Sequence, residues 1–380
     1  MTLAETTTTP PGDSPEARRY NRIHRWLGVA DFVIGSAFLI VLLITGWTDW
    51  LRDFALRRAF QNYTLAVFVY LFLLLLISKA LGFGVDYYAF RLERSFQLST
   101  QRLRSWLWDE AKGFLVGLVL AGIVVELLYF MIRESPQHWW LITWALFMGL
   151  FIALAQLAPV VLFPIFYKFE PLDNEDLRRR LVQLSEHAGT RVRGVYRWKI
   201  SEKSTKANAA LTGLGATRRI ILADTLLDNY APEEIEAVLA HELGHHVHRH
   251  ILKSILVQSA ITLFGFWAAN FVLHYAVDHH MFEELSDFAN LPLLALTATA
   301  LSLLLMPALN AYSRFNERQA DRYAFESIAS VEPFISSMNK LAKQNLAERT
   351  PSKWIELLFH SHPAISKRVA AAEAWGRAQN

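Results

Sequence analysis

The stretch from Pro232 to His250, PEEIEAVLAHELGHHVHRH, carries two histidines four residues apart, His241 and His245, with Glu242 directly after the first. At 3.6 residues per helical turn both imidazoles project from one face, where they can grip a single Zn²⁺ while Glu242 addresses the ion's water. One turn thus supplies two ligands and a base. Such chemistry needs a helix, and the neighbouring residues predict one over 232–250. Pro232 suits a first helical position, Glu233, Glu234 and Glu236 lie near the positive end, and Ile235, Val238, Leu239 and Leu243 form an apolar stripe.

A catalytic zinc takes a third protein ligand and leaves a fourth position to water. Glu317 is the candidate, because Asp321 stands one turn further on and can orient a ligand histidine through its other ring nitrogen. Taken alone, the pair reads as a solvated helical face beside Arg314, Arg318 and Arg322; beside the histidine motif, coordination is the better reading.

Between the motif and Glu317 lie two long apolar runs, from about Ile251 to Val277 and from about Leu291 to Asn310, each long enough to cross a hydrocarbon core. An out-and-back hairpin returns the chain to the side it left, which brings Glu317 to His241 and His245. Four more candidate spans precede the motif, near Ala30 to Trp47, Tyr63 to Ile77, Gly113 to Ile132 and Trp139 to Phe166, giving six in all. Pro159 and Pro164 predict a kink or break in the fourth. Apolar residues make up 53% of the chain, as suits a polytopic membrane protein with a sizeable polar part.

Basic residues predict the orientation. Arg18, Arg19, Arg22 and Arg25 precede the first span and a basic loop over 91–112 follows the second, whereas the acidic hairpin turn with Asp278, Glu283, Glu284 and Asp287 has no Lys or Arg. Arg52, Arg57 and Arg58 are the exception. Both ends and the metal helix are therefore expected on the cytoplasmic side.

The chain has no cysteine, which excludes disulfides, thiol catalysis and thiolate ligation. The net charge of +3 is explained by the basic loops, and no nucleic-acid motif accompanies it. Residues 1–13 are Thr/Pro-rich and expected to be disordered. The polar insert after Tyr167 reads as mixed α/β, with a helix over 176–187 and strands near 192–199 and 219–223. His246, His248 and His250 differ in helical phase from the ligand pair and are expected at the membrane interface. Glu126, inside the third span, either lines an internal chamber or is buried protonated. The expected division is an N-terminal tail, 1–28; a transmembrane region of about four helices, 29–168; a first catalytic part, 169–250; a membrane hairpin, 251–310; and a second catalytic part, 311–380.

Several motifs in order, Lys206-Ala-Asn208-Ala-Ala-Leu-Thr-Gly213, Arg219-Ile-Ile-Leu-Ala-Asp224, His241 to His246, Ser313-Arg-Phe-Asn-Glu317-Arg-Gln-Ala-Asp321 and Ser361-His362-Pro363 with Arg368, resemble the integral membrane zinc metalloproteases typified by the type I CAAX prenyl protease. The segment around Phe96-Gln-Leu-Ser-Thr-Gln101 and Asp109 is similar to that family's cytoplasmic loop. The resemblance covers most of the chain. It implies a mainly α, polytopic fold: a ring of transmembrane helices around a chamber, with an inserted α/β zincin-like catalytic domain and one Zn²⁺ per chain. Six spans are read here where the eukaryotic members have seven. The resemblance also implies that Asn208 lies on an edge strand that pairs with substrate, that His362 assists at the fourth position, and that Arg368 supports that region and the binding of substrate there. Alone, Asn208 reads as a turn residue and His362 as a loop histidine.

The function implied is a zinc endopeptidase acting on a peptide or protein, prenylated at its C-terminus if the CAAX likeness extends to substrate. Two alternatives stand: a quality-control membrane protease of the heat-shock type, and a transporter or scaffold with a structural zinc, which a fourth protein ligand would mark.

Overall fold

The computed structural model describes residues 13–213 and 218–379, so most of the expected disordered tail lies outside the described residues. Six helices are long and apolar enough to cross a membrane, matching the six runs in the sequence. They are α1 (Pro15–Ile44), α3 (Tyr63–Ser95), α4 (Leu103–Glu134), α5 (Trp139–Leu157) with its continuation, α10 (His250–Asp278) and α11 (Leu291–Ser327). A short helix, α2 (Trp47–Arg58), links α1 to α3. After α5 the chain passes through a π-helical turn, Ala158–Leu162, into α6 (Phe163–Phe166). That break falls where Pro159 and Pro164 withdraw backbone donors.

Several boundaries differ from expectation. The first helix begins at Pro15, where the Ser14 hydroxyl accepts from the Ala17 amide at 3.1 Å, so residues 15–28 of the expected N-terminal division are helical. The second span does not stop before Lys79 but continues to Ser95, because Lys79 pairs with Asp86 and Glu110, both at 2.6 Å. The expected division at 310/311 falls inside α11, one unbroken 37-residue helix. At 1.5 Å per residue it is about 55 Å long, far more than a hydrocarbon core of about 30 Å. The surplus carries Glu317 and Asp321 clear of the apolar run.

The polar part holds a four-stranded sheet of β1 (Phe169–Pro171), β2 (Val195–Trp198), β3 (Ala209–Thr212) and β4 (Arg219–Ala223), in the order β1-β2-β4-β3. β2 and β4 are parallel and the other pairs antiparallel. The remaining elements are α7 (Glu175–His187), α8 (Asp224–Leu227), α9 (Pro232–Val247), α12 (Glu332–Gln344), α13 (Lys353–Phe359) and α14 (Ile365–Gln379). One apolar layer packs Leu181, Ile220 and Leu222 against Ile235, Leu239 and Leu243 of α9. A second packs Ala237 and Ala240, on another face of α9, against Ala324, Phe334 and Val369. With two apolar faces engaged, α9 is held between sheet and helices, and its HExxH turn has a fixed direction.

The expected helix over 232–250 is shorter. α9 ends at Val247, Arg249 adopts a left-handed φ of 55°, and α10 begins at His250. The loop after α3 docks on the polar part: Thr100 donates from its amide to the Lys203 carbonyl at 3.2 Å and Thr205 to that of Leu98 at 3.1 Å.

Candidate metal centre

α9 and α11 cross at Gly244. An added Cβ there would stand 2.8 Å from the Ala320 Cα and 2.9 Å from its carbonyl oxygen. Glycine inside a helix costs roughly 1 kcal/mol relative to alanine, so its presence on the motif turn marks a close approach. That approach brings Glu317 over the two histidines.

The His241 Nε2 and His245 Nε2 atoms are 3.3 Å apart. Glu317 Oε2 is 3.3 Å from the first and Oε1 is 3.3 Å from the second. A tetrahedral ion with bonds of about 2.05 Å holds its ligand atoms about 3.3 Å apart, so the spacing fits zinc bound by two imidazoles and a carboxylate. Among the described residues this is the one group of three such ligands. Glu317 is 5% exposed, and its buried Oε2 makes no well-aligned hydrogen bond, although ring nitrogens of His241 and His362 lie 3.3 and 2.8 Å away. Burying a bare carboxylate oxygen is costly unless a cation meets it.

Each ligand ring is fixed through its other nitrogen. His241 Nδ1 lies 2.8 Å from Asp321 Oδ1. Asp321 is buried and held in turn by Arg368, whose Nε and Nη2 donate to it at 2.9 and 2.6 Å. A carboxylate only accepts, so the His241 proton belongs on Nδ1 and the Nε2 lone pair is free for a metal. Burial opposes charge on His241, yet Asp321 and Glu317 outweigh it and raise the ring's pKa to about 9. The carboxylates that draw a proton to this ring equally draw a metal cation.

His245 is fixed by a device the sequence did not reveal. Its Nδ1 is 3.0 Å from His250 Nδ1, and His250 Nε2 is 2.9 Å from Gln319 Oε1. The amide oxygen accepts from His250 Nε2–H, so His250 Nδ1 accepts from His245 and again leaves a ligand Nε2 free. Expected at the membrane interface, His250 is instead 3% exposed. On a continuous helix its phase would carry it away from His245; the left-handed Arg249 turns it back. No residue type at 249 signals that turn. Gln319 was likewise missed, although it lies between Glu317 and Asp321.

Glu242 is half-buried and lines a cavity of about 590 Å³ with His245 and Glu317. Phe151, Ala155, Ile251 and Ile255 from the membrane helices form its apolar wall, and Leu211 and Gly213, of and just after β3, reach it from the sheet. β3 is an edge strand, and among the described residues no strand pairs with its outer side. Asn208 precedes β3 with an exposed side chain, while its carbonyl accepts from the Ala223 amide at 3.0 Å. His362 is exposed, with Nδ1 2.8 Å from Glu317 Oε2. Arg368, expected beside substrate, does not line this cavity; its guanidinium is consumed by Asp321 behind His241. Glu126 leaves Oε1 buried without a hydrogen bond.

Residues 171–376 match the family model described as peptidase family M48, and residues 9–168 the one described as CAAX prenyl protease N-terminal, five membrane helices. The chain is 28% identical over 367 residues to the uncharacterized metalloprotease YhfN of Bacillus subtilis, across 96% of this chain and 86% of that one. It is 26% identical over 343 residues to the probable CAAX prenyl protease 1 of Schizosaccharomyces pombe, across 89% of this chain and 72% of that one. Its fold is that of S. mikatae Ste24p, with a TM-score of 0.84 at 21% identity over 97% of this chain and 92% of the other.

Proposed function

The chain belongs to peptidase family M48 and is a membrane metalloprotease of the CAAX prenyl protease type, and from that premise we propose that His241, His245 and Glu317 hold one catalytic Zn²⁺, with Glu242 as general base. What carries this reading is the set of 3.3 Å separations among the three ligand groups. Zinc held there by His241, His245 and Glu317 would supply Lewis acidity to a peptide carbonyl and to a water. Glu242 takes the water's proton and passes it to the departing amine, so no covalent acyl-enzyme forms. His362, exposed and with its Nδ1 beside Glu317, donates to the oxyanion that develops on the carbonyl. Asp321 with Arg368 orients His241, and His250 with Gln319 orients His245.

The free edge of β3 receives the substrate as an added extended strand, with Asn208 at its start. A polar catalytic edge facing an apolar wall suits a peptide with a lipid attached near the scissile bond. This supports a prenylated C-terminus as substrate, with the bilayer as its route of entry. The polar segments 169–250 and 311–380 act as one catalytic unit interrupted by the hairpin 251–310. The excess of Lys and Arg in loops on their side supports a cytoplasmic location.

The test is cleavage of a farnesylated CAAX peptide, its unlipidated twin and an unfolded protein, each with and without a zinc chelator. Chelator-sensitive cleavage of the farnesylated peptide, at least tenfold faster than its twin, is expected. Equal rates for all three substrates overturn the prenyl reading in favour of quality control, and chelator-insensitive cleavage overturns the zinc assignment.

A further inference from the structure

α11 has two functional faces. Ser313, Asn316 and Glu317 turn towards the metal cavity, whereas Arg314, Arg318, Arg322 and Phe325, spaced at helical period, turn to a second cavity of about 860 Å³. α13 and α14 close it with Lys353, Leu357, Lys367 and Trp375. Asp321 and Arg368, which hold His241, form part of its inner wall.

Three hydrogen bonds tie α13 and the loop after it to α11. The Asn310 Nδ2 donates to the Leu358 carbonyl at 2.7 Å, and Arg314 Nη1 donates to those of Glu356 and His360 at 2.8 and 2.6 Å. Asn310 closes the apolar run of α11, so α13 is strapped to the first turn beyond it. Arg314 and Arg318 follow about 6 and 12 Å further along the axis, the first at the level of lipid headgroups and the second just outside them. Near the cavity Trp354, Phe359 and Phe315 are exposed by 73, 50 and 50%, as aromatic residues are at a membrane interface.

The charges are unequal. Six basic side chains in the wall face two carboxylates, Asp321 and Glu356. Arg314 is spent on carbonyls, Arg368 on Asp321, Lys367 on Glu356 and Arg322 on Glu326. Among the described residues, Arg318 and Lys353 have no carboxylate within 4.0 Å. Two cations without a carboxylate partner, Arg318 with its guanidinium 6.0 Å over the Phe315 ring, beside the apolar surface of Leu357 and Trp375, match a phosphodiester joined to acyl chains.

We propose that this cavity binds the headgroup of an anionic phospholipid from the leaflet that α11 enters at Asn310, with Arg318 and Lys353 on the phosphate. Because its inner wall is the Asp321–Arg368 pair, an occupied cavity braces the support of His241.

The full-length protein, delipidated in a neutral detergent, is titrated with dihexanoyl phosphatidylglycerol, dihexanoyl phosphatidylcholine or glycerol phosphate, and retained ligand is counted by native mass spectrometry. One phosphatidylglycerol is expected per chain, at an affinity at least tenfold above phosphatidylcholine, and lost in Arg318→Glu/Lys353→Glu. Both positions are exposed and outside the metal site, so zinc content and Tm should stay unchanged. Arg318→Gln/Lys353→Gln is expected to give an intermediate affinity, which separates charge recognition from misfolding. Equal retention of the two lipids, or undiminished phosphatidylglycerol binding by the Glu/Glu variant, overturns the proposal. Glycerol phosphate binding as tightly as the lipid overturns the lipid assignment in favour of a free phosphate.

Discussion

Gly244→Ala tests whether the metal centre depends on the close crossing of α9 and α11. The new Cβ would sit 2.8 Å from the Ala320 Cα, 2.9 Å from its carbonyl oxygen and 3.1 Å from the Tyr323 Cβ. Carbon atoms rest at about 3.5–4.0 Å, so the helices must part by roughly 0.7–1.2 Å. The first two obstacles are backbone and cannot swing aside. His241 and His245 ride on one helix and Glu317 on the other, while metal bonds tolerate only about ±0.2 Å. Zinc affinity is therefore expected to fall about 10–100-fold. Stability should change less, because overpacking costs roughly 1–3 kcal/mol while Gly→Ala within a helix returns about 1 kcal/mol. The assay is zinc content after equilibration against graded chelator, with Tm measured in parallel. A Gly244→Ala protein that keeps zinc at the wild-type chelator midpoint and cleaves at the wild-type rate refutes the reasoning.

Glu242→Gln should retain zinc and lose peptide cleavage by at least 10²-fold, whereas His245→Ala should lose the metal itself; metal analysis beside a peptidase assay distinguishes them. His250→Ala and Gln319→Ala should each raise the zinc dissociation constant roughly tenfold or more, read by chelator competition, and unchanged affinity in both would remove the His250 chain from the centre. Glu234 near the start of α9 offers a pH test. Burial would raise its pKa, but Lys340, Ser336 and the Ala231 amide outweigh that and hold it below the ordinary carboxylate value. A depressed acid stabilises the fold above its unfolded pKa of about 4.3 and loses that contribution as pH falls through its folded value. Glu234→Gln should therefore lower Tm at pH 7, with the gap to wild type closing below pH of about 4; a constant gap would show that charge plays no part.

The long apolar runs and HExxH declared themselves because both have strong periods: about twenty residues for a span, and four residues for two ligands on one face. The position of Glu317 beside His241 and His245 was legible by combining a carboxylate with Asp321 one turn on and a hairpin that returns the chain. The helix boundaries were not. Ser14 capping, the Lys79 ion pairs and the continuation of α11 through residue 310 are polar extensions of apolar helices, and hydropathy sees only the apolar part. His250 stayed hidden for a different reason. Phase arguments assume an unbroken helix, and one left-handed residue at Arg249 cancels them. Arg368 was located near the site, but its partner was a matter of packing: Asp321 on α11 meets it from α14.

The split of the proposed ligand set by the membrane hairpin has a consequence for the life of the enzyme. No contiguous soluble fragment can contain His241, His245 and Glu317, since the chain between them enters and leaves the bilayer. Release of an active soluble domain by a single cut, open to a protease tethered by one anchor, is closed to this architecture, and regulation by release must give way to regulation in place.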